Sequence, residues 1–102
     1  MPAVNRDIND EFVCKPPAGY SHNGAPPIPD RMGEPLERWV KHRERPGHFL
    51  SAVLANDLSN AVGYADSENI RALASYVGWL YNEAPGACWG SKEKVAAWAA
   101  GR

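Results

Sequence analysis

The order of apolar and polar positions divides the chain near residue 28. Before that point Pro2, Pro16-Pro17, Gly19, Asn23-Gly24 and Pro26-Pro27 interrupt any period, with Ile8, Phe12, Val13 and Tyr20 scattered among them. Proline removes a backbone donor and fixes φ, so residues 1–28 read as an extended or irregular arm with a few apolar handles. From 29 to 102 the spacing of apolar residues is helical, and it predicts an all-α domain, a compact bundle of about four helices. The first, over 35–43, carries Leu36, Trp39 and Val40 on one stripe. Pro35 is tolerated there because a first turn makes no use of its missing N–H, and Asp30 or Glu34 precedes the helix. A second helix runs over 47–63 from Pro46-Gly47. A third, over 67–84, starts on Asp66 or Ser67, has Glu68 in its first turn and is stopped by Pro85-Gly86. Ser91 caps a last helix over 91–100.

Setting the second helix at 100° per residue gathers Phe49, Leu50, Val53, Leu54, Leu58, Ala61 and Tyr64 on about half the circumference, with Asp57 among them. Burying a carboxylate unpaired is costly or neutralises it. Asp57 is therefore expected to be buried and bonded to Arg38, to the indole of Trp39 or Trp89, or to another helix start. A lone catalytic acid is the competing reading. In the third helix Ile70, Leu73, Ala74, Val77, Leu80, Tyr81 and Ala84 share a face, while Trp79 falls opposite, with Arg71, Ser75, Asn82 and Glu83. Trp79 then lies under the arm or anchors a partner, Trp and Arg being favoured at binding hot spots. The loop Ala84 to Ser91 is rigid; it plugs Trp89 into the bundle, or lets Trp89, with Tyr81 and Asn82 behind it, stack on a nucleobase.

A length of 102 residues suits one domain, and 44% hydrophobic with 23% charged residues is ordinary for a soluble protein. No apolar run approaches the ~18 residues of a membrane span, so no membrane partner is expected. Met1 to Phe12 lacks the basic and apolar parts of a secretory signal, which points to the cytoplasm. A net charge of −1 gives no general drive toward nucleic acid. Residues 29–45 nevertheless hold five basic side chains, Arg31, Arg38, Lys41, Arg43 and Arg45, against four acidic ones, with His42 inside and His48 just beyond. That cluster is a solvated helix face or an anion site.

Cys14 and Cys88 have no CxxC or Cys/His spacing, so they read as reduced thiols with no metal. Glycine-rich phosphate loops, HExxH and GxSxG are absent, and Cys88 has no His at a spacing that implies a dyad. No catalytic residue, no cofactor and no enzymatic activity are expected.

Ile28-Pro29, Leu36 with Trp39, Pro46-Gly47-x-Phe49-Leu50, Ala52-Val53-Leu54-x-Asn56-Asp57-Leu58, Ala65-Asp66, Asn69, Tyr81-Asn82-x-Ala84-Pro85 and Cys88-Trp89-Gly90-Ser91 together form a pattern. It resembles a family of small uncharacterised proteins encoded by tailed phages and prophages, over about three quarters of the chain. The resemblance brings no assigned activity. It implies a phage accessory protein in the host cytoplasm that acts by stoichiometric binding, as in counter-defence, where it blocks a host defence protein or sequesters a nucleotide-type signal. The expected contact residues are Trp79, Arg71, Arg38, Arg43, Arg45, Asn82 and Trp89. The second reading is a nucleic-acid-associated helper of phage replication or recombination.

Overall fold

The structure, a computed structural model, describes residues 15–101. Ile8, Phe12, Val13 and Cys14, and the segment read for a secretory signal, lie outside the described residues. Six α-helices follow one another: α1 (Gly33–His42), α2 (His48–Leu54), α3 (Leu58–Tyr64), α4 (Ser67–Arg71), α5 (Leu73–Asn82) and α6 (Lys92–Ala100). Short 3₁₀ turns at Asp30–Met32 and Gly86–Cys88 lead into α1 and toward α6. The all-α class holds, with no strand among the described residues.

The bundle has six helices where four were expected, because the second and third predicted helices each break. The first break is at Asn56, which turns left-handed at φ 60°. Asparagine tolerates that region better than other residues with a Cβ. Asp57 then starts α3 by accepting from the Asn60 amide at 3.3 Å and from the Asn60 Nδ2 at 2.7 Å. Asp57 is thus a partly exposed cap on its own helix, and the expectation of a buried carboxylate bonded to a neighbouring helix is corrected. The second break is at Ala72, whose amide is shared between the carbonyls of Glu68 and Asn69. Buried Asn69 accepts from the Tyr76 hydroxyl at 2.6 Å, which fastens α4 to α5 across the break.

The predicted ends of the outer helices stand close to the observed ones. Leu36, Trp39 and Val40 are buried on α1, and Pro35 sits in its first turn. The N-cap position belongs to Met32, which makes no side-chain bond, and Glu34 lies in the first turn. Asp66 and Ser91 cap α4 and α6 as expected, accepting from Asn69 and Lys94 amides at 2.8 and 3.1 Å. Trp39 is the centre of the core: its Nε1 donates to the Cys88 carbonyl and its own carbonyl accepts from Trp98 Nε1, both at 3.0 Å. Cys88, not Trp89, is the fully buried residue of the 86–91 loop.

The inward face of α5 is rotated from the one predicted: Leu80 and Ala84 are buried as expected, but Ala74, Val77 and Tyr81 are exposed and Trp79 turns inward. Ser75, Tyr76, Trp79 and Leu80 are buried, and Trp79 is only 1% exposed, while Tyr81 is 78% exposed. The arm causes the rotation. The Ser75 hydroxyl donates to the Pro26 carbonyl at 2.8 Å and accepts from the His22 amide at 3.1 Å. Gly78, one turn on, leaves the gap into which the His22 side chain fits. Residues 20–28 therefore cover the side of α5 on which Trp79 lies, and Trp79 is core, not a partner's anchor. The break at Asn56 has a similar effect on α3, where Leu58 is 67% exposed despite its place on the continuous wheel.

Candidate functional site

The chain leaves α1 through Arg43, left-handed at φ 61°. An arginine in that region is strained. Its side chain offsets the strain by donating from Nη1 to the Trp98 carbonyl at 3.1 Å and stacking 3.7 Å above the Trp98 ring. This turn delivers Arg45, Pro46 and Gly47 to the start of α2, where Ser51 Oγ donates back to the Pro46 carbonyl at 3.1 Å. At the other end of α2 the Gly90 amide donates to the Leu54 carbonyl at 2.7 Å, so the loop before α6 is pinned beside the α2–α3 corner.

These constraints leave an open cleft of about 400 Å³ between α2, α3 and the start of α6. Ala52, Ala55 and Val95 give it apolar surface. Arg45, His48, Ser51, Asp57, Asn60, Tyr64 and Lys92 give it polar groups. His48 and Tyr64, the first residue of α2 and the last of α3, stack with ring centroids 5.0 Å apart and planes 21° apart. Neither Arg45 nor Lys92 forms an ion pair among the described residues. Asp57 brings the cleft a carboxylate, held below its ordinary pKa first by the Asn60 side chain, then by the Asn60 amide, with a smaller pull from Lys92. Its negative charge is thus fixed by its capping role. The cleft can offer an anion two cations, a histidine and the hydroxyl of Tyr64, the Ser51 hydroxyl being already given to Pro46.

Of the seven expected contact residues, Arg45 alone lines this cleft. Trp79 is buried under the arm side of α5, which removes it as an anchor. Arg38 stands between Glu34 and Glu44 at 3.6 and 3.8 Å, and Arg43 is engaged with Trp98. Arg71 is exposed on a separate open cavity of about 620 Å³ with Ala18, Pro26 and Glu68, whose carboxylate is paired with Arg31. Asn82 bonds its own helix, donating to the Gly78 carbonyl at 2.9 Å. Trp89 is half-buried against the core. The cleft residues that sequence reasoning missed are Ser51, Asn60, Tyr64 and Lys92, while His48 was noted only at the edge of the basic cluster. One signal was present: Asp57 and Asn60 have the spacing of a helix cap, which would have ended the long helix and brought Tyr64 back toward His48.

Among the described residues no group of three or more His, Cys, Asp or Glu is placed to hold a metal ion. No described helix is long and apolar enough to cross a membrane. Comparison with protein-family models, with curated proteins and with solved structures gives no match.

Proposed function

We propose that the chain is a small phage accessory protein that acts by stoichiometric binding, with the Arg45–His48–Lys92 cleft holding a phosphate-bearing ligand. The observation that carries this reading is the charge arrangement. Two cations that form no ion pair among the described residues line a cleft whose carboxylate, Asp57, already accepts twice from Asn60. Phosphate oxygens take charge-assisted hydrogen bonds from such groups, Arg as a planar fork and Lys as a compact charge.

In the counter-defence setting that the resemblance implies, the ligand is a nucleotide-type host signal, withdrawn by being bound. The burial of Trp79 takes away the aromatic anchor on which a blocked host protein would depend, so the small-ligand form of the reading is preferred. A nucleic-acid helper has less support. Arg31 pairs with Asp66 and Glu68 at 3.0 and 3.1 Å, and Arg38 and Arg43 are also engaged within the chain, so the basic stretch is not a continuous stripe.

Calorimetric titration with inorganic pyrophosphate tests the reading. Binding should saturate at one pyrophosphate per chain and weaken at least tenfold in the Arg45→Ala/Lys92→Ala double variant, while Arg38→Ala leaves it unchanged. Absence of binding, equal loss with Arg38→Ala, or release of orthophosphate by catalytic amounts of protein would overturn it.

A further inference from the structure

We infer that the ligand of this cleft is a nucleoside phosphate whose base stacks on Tyr64, an inference that rests on the phosphate reading above and adds the ring to it. The starting observation is that two aromatic rings from different helices lie nearly parallel in a place where neither is buried. His48 is exposed, and Tyr64 is 55% exposed. Core packing therefore does not account for the pair. The contact sets the ring of Tyr64, at the end of α3, against the first residue of α2 at the 5.0 Å centroid distance. A stacked ring that keeps much of its surface in solvent is a prepared platform, and a nucleobase is the planar group such platforms accept, whichever base it is.

The rest of the cleft suits the other parts of a nucleotide. Arg45 and Lys92 supply charge for phosphate, and Ala52 with Ala55 gives apolar surface beside the rings. A bare anion would have no use for the aromatic pair, and an apolar ligand would have none for the two cations. Both features occur in a single cleft. Its volume, about 400 Å³, lies toward the low end of ligand pockets at roughly 300–1,000 Å³. That size fits one nucleoside phosphate better than an oligonucleotide. The stack also contributes a hydrogen-bonding group at the cleft wall, the Tyr64 hydroxyl, but the inference rests on the ring face and not on that hydroxyl.

Titration of the full chain with pyrophosphate, ribose 5-phosphate, and the four diphosphates ADP, GDP, CDP and UDP separates the two readings. At least one nucleoside diphosphate should bind about fivefold or more tighter than pyrophosphate and ribose 5-phosphate, the gain expected from one stacked base. Tyr64→Leu should abolish that advantage and leave pyrophosphate affinity in place; Tyr64→Phe should keep the advantage. Tyr64 is on the surface, so both variants should melt like the parent. Pyrophosphate binding with no preference for any of the four diphosphates overturns the base inference and leaves the phosphate reading standing. A nucleotide preference that survives Tyr64→Leu overturns the Tyr64 platform. No binding of any of the six probes overturns both.

Discussion

Gly78→Ala should detach the arm from α5. A Cβ at position 78 would lie 2.4 Å from the Cγ of His22 and 2.6 Å from its Cβ. Rotating the imidazole moves the first atom but not the second, because a Cβ is fixed by the backbone. The arm backbone must then shift, and it is held there by the His22 amide on Ser75 Oγ and by the Ser75 hydroxyl on the Pro26 carbonyl. Overpacking of this kind costs about 1–3 kcal/mol. Alanine in place of glycine in a helix returns about 1 kcal/mol. The rigidity of the atom struck places the clash in the upper half of its range, leaving a net loss of about 1–2 kcal/mol. For a domain of this size that lowers Tm by about 4–16 °C. Calorimetry measures the loss, and hydrogen exchange should show the His22 amide losing protection. Adding His22→Gly to Gly78→Ala removes the atom struck and should recover part of the Tm. An unchanged or raised Tm in the single variant refutes the reasoning.

Trp79→Ala should lower stability by about 3–5 kcal/mol in urea denaturation, as truncation of a buried aromatic does, whereas a surface anchor would leave it unchanged. Burial pushes the Cys88 thiol up to about 12. In a Cys14→Ser background a thiol reagent at pH 8 should accordingly find no reactive cysteine until the protein is unfolded, and rapid native labelling would contradict the buried placement. Asp66 is held below its ordinary value of 3.8, first by the Asn69 amide and then by Arg31. A depressed carboxylate contributes stability that is complete above its unfolded pKa and lost as pH falls through the folded one. The Tm advantage over Asp66→Asn at neutral pH should therefore shrink below about pH 4; an advantage that stays constant into acid would refute the linkage.

What was legible in the sequence was local. The Leu36–Trp39–Val40 stripe and the caps at Asp66 and Ser91 each depend on residues within a turn or two, and each stands in the structure. The inward face of α5 was not legible because it is decided by His22 and Pro26, about fifty positions away. No periodicity within 67–84 carries that information. The breaks at Asn56 and Ala72 compound the error, since a wheel drawn through a break assigns the following residues to the wrong side. The cleft fails to show for the same reason. Arg45 and His48 come before the corner, Tyr64 after it, and Lys92 from another helix start, so Arg45 was legible as a basic contact residue but nothing in the sequence joined it to Tyr64 and Lys92. Arg38 and Arg43, which read as ligands, prove to be intrachain partners of Glu34, Glu44 and Trp98.

The central claim is that a phosphate-bearing ligand occupies the Arg45–His48–Lys92 cleft. Amide chemical shifts of the ¹⁵N-labelled chain, followed while inorganic pyrophosphate is added, locate the site directly. The account predicts saturable shifts concentrated at Arg45, His48, Asn60, Tyr64 and Lys92, ending at one equivalent, with the amides of Arg71, Trp79 and Asn82 unmoved. Shifts centred on α5 and the arm, or no saturable shift at all, would contradict it.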